Sequence, residues 1–285
     1  MSTLKIAIQK SGRLNEDSLQ LLKECGISID HRNAQLKATA RNFPLEVFYL
    51  RNGDIPQYLQ DGVVDIAILG ENTLIEKGED LPIVERLGFS KCKVSLAVPK
   101  EVDYTGIEYF KNKRIATTYT NTLDKFLKEK GVQASYHKIA GSVEIAPNIG
   151  LADGICDIVS SGGTLFANGL KEAEVMFWSE AVLTKSPVLT LDKQVLLDKL
   201  QFRIQSVLKG RANRYVLLNA PNDKVEAIIK IIPGMKSPTV LPLAKAGWSS
   251  VHTVIPKNKF WEIIDELKVL GAEGILTTEI EKMVL

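Results

Sequence analysis

Histidine, cysteine and tryptophan are scarce in this chain, with three of each in 285 residues. Cys25, Cys92 and Cys156 are odd in number, widely spaced and form no CxxC pair. That argues against a disulfide framework or a cysteine zinc site and fits three reduced thiols in a cytosolic protein. His31, His137 and His252 lie far apart and near no obvious nucleophile, so each reads as a surface or packed residue. No nucleophile–base pair is evident. Trp178, Trp248 and Trp261 read as packing residues. No apolar run could span a bilayer, and Met1-Ser2-Thr3 leads into a strand-like stretch without a signal-peptide apolar region. Neither sign of charge is in excess: 36 Lys and Arg against 34 Asp and Glu give a net charge of +2. Nothing therefore calls for nucleic acid or an anionic membrane. The basic run Lys111-Asn112-Lys113-Arg114 reads as a solvated turn. Any anionic ligand has to be met by a local cluster.

What is present is an ordinary globular composition, 45% hydrophobic and 25% charged, in a chain long enough for two or three compact domains. Its most informative stretch is Asp157-Ile158-Val159-Ser160-Ser161-Gly162-Gly163-Thr164-Leu165. Cys156, Ile158 and Val159 form an apolar strand run, Gly162 and Gly163 break it, and Leu165, Leu170 and Ala173 follow at helical spacing. Residues without side chains let backbone N–H groups approach an anion, and a helix start aims its unpaired N–H groups at the same point. Ser160, Ser161 and Thr164 add hydroxyl donors. Asp157 is costly beside a phosphate unless it binds something else, and the vicinal hydroxyls of a sugar suit it. Phosphate plus sugar diol suggests a phosphoribosyl group; these nine residues equally fit an ordinary strand–turn–helix corner.

The rest of the chain alternates strands and helices. Strands are expected over residues 4–8, 45–51, 63–70, 93–99, 114–119, 134–139 and 156–159. Helices are expected from Asn15, a candidate N-cap, to Gly26, and over 121–130 and 144–153, with a short one opened by Asp54-Ile55-Pro56. Alternation implies a largely parallel sheet, and two such runs, 4–87 and 92–178, imply two lobes with a cleft. Lys10, Ser11, Gly12 and Arg13 fall in a strand-to-helix turn, where open α/β sheets place ligands. Two cations there suit a polyphosphate. Arg51 ends one strand. Glu71 follows another, where a helix-start carboxylate is an equally good reading. A helix over 191–208 is expected to end at Gly210, beside the basic cluster Lys209, Arg211 and Arg214. Beyond that boundary, residues 209–285 read as βαββαβ, the ferredoxin-like unit, with no catalytic constellation.

Residues 144–165 resemble the signature of the ATP phosphoribosyltransferase family, the first enzymes of histidine biosynthesis. Glu144, Gly150, Ala152, Asp157, the Ser161-Gly162 pair, Thr164 and Leu165 fall at the family's spacings. Lys10-Ser11-Gly12-Arg13, Arg51, the Asp-Ile-Pro turn and the strand ending Gly70-Glu71 match it too, so the resemblance spans essentially the whole chain in its long form. It implies a two-lobed, periplasmic-binding-protein-like catalytic region over 1–208. Lobe I would comprise about 1–90 and, after a return crossing, 181–208; lobe II would be about 91–180. It implies that the C-terminal domain is ACT-like and regulatory. The implied reaction is attack of adenine N1 of ATP on C1 of phosphoribosyl pyrophosphate, releasing pyrophosphate. Gly162, Gly163, Thr164 and Leu165 would grip the 5′-phosphate. Asp157, helped by Glu144, would hold the ribose hydroxyls, the 10–13 turn would meet the nucleotide, and Arg51 would face the pyrophosphate with Glu71 near. Mg²⁺ would arrive on the substrate's pyrophosphate, since no protein carboxylate cage is evident. Histidine would inhibit from a site near Asn219, Met235, Thr239, Val254 and Gly274, in a homo-oligomer built as dimers that associate into hexamers. A cytosolic two-lobed protein that binds or senses a phosphorylated ligand without catalysis is the alternative.

Overall fold

The computed structural model describes residues 2–30 and 36–285; His31 lies outside the described residues. The chain forms two compact units. One holds residues up to Lys23 and Ile27–Leu197, and the other holds Glu24–Gly26 and Asp198–Leu285.

The first unit runs β1 (Leu4–Gln9), α1 (Arg13–Glu24), β2 (Lys37–Thr39), β3 (Leu45–Leu50), α2 (Ile55–Gln60), β4 (Ile66–Gly70), α3 (Glu71–Lys77) and β5 (Ile83–Arg86). It continues through β6 (Cys92–Pro99), β7 (Arg114–Thr117), α4 (Thr120–Glu129), β8 (Ser135–Lys138), β9 (Gly154–Val159), α5 (Gly163–Ala167), β10 (Leu170–Ser179) and β11 (Ala181–Lys185) into α6 (Leu191–Ala212). Two sheets result, ordered β2-β3-β1-β4-β11-β5 and β10-β6-β9-β7-β8. In β1 and β4 most side chains are buried, as expected of central strands covered on both faces. The sheets are mixed, not largely parallel. β11 returns from the second sheet and inserts antiparallel between β4 and β5, and β6 runs antiparallel to both β10 and β9.

The second sheet is packed on both faces. Val94, Leu96, Phe110, Ile115, Leu123 and Cys156 lie in one cluster, and Ala97, Ala116, Val143, Ile155, Leu165 and Leu170 in the other. Gly154, the first residue of β9, has no room for a side chain. A Cβ there would lie 2.8 Å from Phe110 Cε1 and 3.0 Å from the Ala97 carbonyl oxygen. Gly154→Ala is therefore expected to cost about 1–3 kcal/mol by overpacking, read as a lower denaturation midpoint. An unchanged midpoint would show that Phe110 yields freely.

Of the helices expected from periodicity, one does not form and another is cut short. Residues 144–153 hold only a 3-10 turn, Val143–Ile145, and further turns, because Pro147 interrupts the stretch and Gly150 takes a left-handed φ of +74°. The helix after the glycine turn stops at Ala167, since Gly169 is left-handed at +70°, and Leu170 and Ala173 lie on β10. Ile158, read as part of an apolar run, is 43% exposed. Trp178 and Trp261, read as packing residues, are 70% and 79% exposed.

The second unit continues from α6 through β12 (Asn213–Pro221), α7 (Val225–Ile231), β13 (Thr239–Pro242), β14 (Trp248–Pro256), α8 (Phe260–Val269) and β15 (Glu273–Glu279). The fully antiparallel sheet order β13-β14-β12-β15 is that of the ferredoxin-like βαββαβ unit. Gly210 does not end α6. A Cβ on it would lie 2.5 Å from the Ile280 carbonyl oxygen, so the glycine admits a close backbone approach. The chain passes from one unit to the other inside this continuous helix, at Leu197/Asp198.

Candidate functional site

In the first sheet, β1, β3 and β4 are parallel and end on one edge. The Lys10 N–H donates to the Leu50 carbonyl at 2.8 Å, which holds the turn after β1 beside the end of β3. Gly12, at φ +87°, carries the chain from that turn into α1. Asn15 is not an N-cap. It sits within α1, buried, and its amide donates back to the Gln9 carbonyl at 2.6 Å, tying helix to strand end. Lys10, Ser11, Arg13 and Arg51 are all exposed at this edge. Among the described residues, Arg13 makes a 3.9 Å ion pair with Asp17. Glu71 opens α3, but its carboxylate is engaged: Arg86 donates to its two oxygens at 2.6 and 2.8 Å and reaches Glu180 at 3.5 Å. These three residues, with Lys91, Ser179 and Trp178, line a cavity of about 230 Å³. Arg86, Lys91 and Trp178 carry no local sequence signal. They meet because β11 pairs with β5, which carries Arg86, and β10 pairs with β6, which brings Trp178 beside the start of β6 next to Lys91.

One edge of the second sheet carries the ends of β7 and β9 and the start of β6. Asp157, near the end of β9, is half-buried and accepts from the Ile158 N–H at 2.8 Å. Burial pushes its carboxyl up to about 6, and the neighbouring Glu144 carboxylate adds to the rise against that hydrogen bond. Glu144 stands on the 3-10 turn before β9, within electrostatic reach of Asp157. Ser160, Ser161, Gly163 and Thr164 are exposed, whereas Leu165 is buried and anchors α5. The left-handed glycine of the turn is Gly162, at φ +79°, and Gly163 has an ordinary backbone. The Phe166 N–H bonds the Gly162 carbonyl at 3.0 Å, and the N–H groups one turn earlier have no acceptor within the helix.

The two edges are joined by the chain crossings after β5 and β10 and by α3. Asn72 on α3 donates its amide to the Tyr119 hydroxyl at 2.7 Å, and its backbone N–H donates to the Ser179 hydroxyl at 3.0 Å. Beside α3 lies a cavity of about 710 Å³ whose lining includes Asn52, Thr73, Lys77, Thr118, Tyr119 and Lys138, from both lobes. Among the described residues, no three His, Cys, Asp or Glu side chains converge as a metal-binding group.

In the second unit, Met235, Thr239 and Val254 line one cavity of about 470 Å³ with Tyr215, His252 and Leu285. His252 is held there between the Tyr215 hydroxyl at 2.7 Å and the Ser250 hydroxyl at 3.0 Å. Asn219 and Gly274 are not in that lining. They neighbour each other across β12 and β15, where a Gly274 Cβ would lie 3.2 Å from Asn219 Nδ2.

One lobe thus carries an exposed glycine turn beside a half-buried carboxylate, and the other carries exposed cations at a strand edge. The two-lobed part shares its fold with the probable extracellular amino-acid-binding protein ytmK of Bacillus subtilis. That match has a TM-score of 0.50 and 15% identity, covering 73% of this chain and 92% of that one. The family model for ATP phosphoribosyltransferase matches residues 51–206, and that for the HisG C-terminal domain matches 211–282. The ATP phosphoribosyltransferase of Cytophaga hutchinsonii is 53% identical over 285 residues, all of both chains. A chain of the ATP phosphoribosyl transferase (HisG:HisZ) complex from Thermotoga maritima superposes with a TM-score of 0.61 at 33% identity, covering 71% of this chain and 99% of that one. The chain belongs to the ATP phosphoribosyltransferase family, in the long form that carries the C-terminal domain.

Proposed function

We propose that the two-lobed region holds phosphoribosyl pyrophosphate on the turn after β9 and ATP against the cations of the first lobe, and joins them. Adenine N1 attacks ribose C1, and pyrophosphate leaves. This is the first step of histidine biosynthesis. The observation that carries the reading is Asp157 beside an exposed glycine turn at a strand end of one lobe, with Lys10, Arg13 and Arg51 exposed at a strand edge of the other. Such a reaction needs two polyanions held with their reacting atoms in line, and charge stabilised on the departing group. Backbone N–H groups of Gly163, Thr164 and Leu165 take the 5′-phosphate, with Ser160 and Ser161 hydroxyls beside them. Asp157 accepts from the ribose hydroxyls, and Glu144 supports it. Arg51 meets the charge that grows on pyrophosphate. Lys10 and Arg13 neutralise the triphosphate, and the Ser11–Gly12 turn lets it approach. Glu71, already bound to Arg86, braces that wall instead of contacting substrate directly. Mg²⁺ would arrive on the pyrophosphate of the substrate and would supply charge neutralisation there. Asp157 and Glu144, two carboxylates within electrostatic reach of each other, are the protein groups suited to face it. The test is pyrophosphate release that requires both ATP and phosphoribosyl pyrophosphate; release with either alone would refute the transfer. Family membership does not favour a binding or sensing protein without catalysis.

The C-terminal unit is the site at which histidine, the end product, inhibits, in a cytosolic homo-oligomer of dimers that form hexamers. What supports this is the cavity that Met235, Thr239 and Val254 share, with a hydroxyl and two apolar walls suited to an amino acid. No helix among the described residues is long and apolar enough to cross a membrane. Thr239→Ala is expected to raise the histidine concentration for half-inhibition about tenfold, as loss of one hydrogen bond implies, and to spare turnover without histidine. Unchanged inhibition removes Thr239 as a contact. Light scattering with and without histidine reads the assembly.

A further inference from the structure

α4 starts without a cap of its own: Tyr119, at its N-cap position, makes no side-chain cap hydrogen bond. The acceptor comes from the opposite lobe. On α3, the Glu76 carboxylate accepts the Asn121 N–H at 3.1 Å, the Thr122 N–H at 2.9 Å and the Thr122 hydroxyl at 2.7 Å. The Asn121 amide also donates to the Glu76 carbonyl at 2.9 Å. Asn121 and Thr122 are the second and third residues of α4, whose N–H groups an N-cap side chain ordinarily serves. A carboxylate there also meets the positive end of the helix dipole. One turn earlier on α3, buried Asn72 holds the buried hydroxyls of Tyr119 and Ser179, the latter donating to Asn72 Oδ1 at 2.9 Å. Both helices spring from the edges that carry the candidate site. α3 follows β4 directly, and α4 follows β7, the sheet neighbour of the Asp157 strand. Tyr119 is itself within electrostatic reach of Asp157.

We propose that Glu76, backed by Asn72, is a positioning residue for the transfer: it caps α4 from the opposite lobe and so fixes the separation at which the cations and the phosphate turn meet. If the lobes part, α4 loses its cap and Asn72 loses Tyr119 together, so the arrangement is held at one distance. The inference rests on the transfer reading of the cleft, but its first readout needs no substrate, so the two can fail separately.

Gln57→Cys on α2 and Glu129→Cys on α4 put one exposed thiol on each lobe, while the three native cysteines are buried. Spin-label distances are measured in the full chain, diluted with unlabelled protein. The expected result is a narrow distribution with Glu76 present and a longer, broader one in Glu76→Ala. In that variant kcat falls on the order of ten- to a hundredfold, by more than either KM rises. Glu76→Gln, which keeps one acceptor oxygen, recovers part of both readouts. An unchanged distance distribution in Glu76→Ala overturns the proposal whatever its kcat, and so does a broadened distribution with wild-type kcat. Should Glu76→Ala not fold, Thr122→Val removes one donor and leaves the backbone bonds. It is expected to broaden the distribution and lower kcat to a smaller degree, and no change in either overturns the proposal.

Discussion

Asp157→Asn is expected to lower kcat/KM for phosphoribosyl pyrophosphate by about 10²–10⁴-fold while the protein stays folded. Two ribose hydroxyls donating to one carboxylate make two charge-assisted hydrogen bonds, each about 1.5–3 kcal/mol, and about 1.4 kcal/mol is a factor of ten. The pH dependence supplies an independent check. Burial and Glu144 raise the Asp157 carboxyl from 3.8 to about 6 in the folded protein. Between those values the folded chain binds more protons than the unfolded one, so this residue's effect on stability declines as pH rises from about 4 to about 6. The asparagine variant lacks that slope and at neutral pH is at least as stable as the wild type. Activity runs the other way. The acceptor is the ionised carboxylate, so kcat/KM in the wild type falls on the acid side near pH 6, and this limb vanishes in Asp157→Asn. Wild-type kcat/KM in a folded variant would remove Asp157 from ribose binding, and an unchanged acid limb would assign that titration to another group.

The second large effect is at the glycine turn, where its two glycines have different duties. Gly163 has an ordinary φ, and a Cβ there would meet only the Ser161 hydroxyl at 3.7 Å. A side chain at Gly163 thus starts without a clash, and in Gly163→Val it would stand where the proposed phosphate reaches the backbone. Affinity for phosphoribosyl pyrophosphate, by calorimetry, is expected to fall about ten- to a hundredfold for each charge-assisted bond lost, with the melting temperature nearly unchanged. Gly162 holds the left-handed conformation at φ +79°. Gly162→Val is expected to lose affinity and also about 1–2 kcal/mol of stability, because a β-branched residue resists that region. Unchanged affinity in Gly163→Val would take the phosphate off this turn. A stability loss confined to Gly163→Val would reverse the assignment of the two roles.

The arrangement explains why the reaction can proceed without a nucleophile–base pair. On the proposed reading, the protein's contribution is to hold two anionic partners and the charge on the leaving group, with backbone amides, hydroxyls and fixed cations as the groups that would do so. The link through Glu76 and Asn72 makes the distance between those sets a property of the fold.

Local chemistry in the chain determined much of this. Apolar runs and glycines marked β1, β4, β9 and the C-terminal βαββαβ unit, because strand burial, left-handed turns and helix stops act over a few residues. The strand–turn–helix corner at 157–165 was legible for the same reason: the left-handed turn needs glycine, and Gly162 leaves that mark in the sequence. Periodicity misled where proline and left-handed glycines intervened, at 144–153 and after Ala167, since spacing counts apolar residues and ignores backbone sign. Gly210 shows the converse: it reads as a helix stop, yet it serves the close approach of the Ile280 backbone. Other features belong to the tertiary structure alone. The insertion of β11 beside β4, the engagement of Glu71 by Arg86, and the capping of α4 by Glu76 join residues 15 to over 100 positions apart. Neither partner in such a contact has a local spacing that requires the other. Their meeting is set by which sheet edge each strand end reaches, and that is decided only when the sheets are assembled.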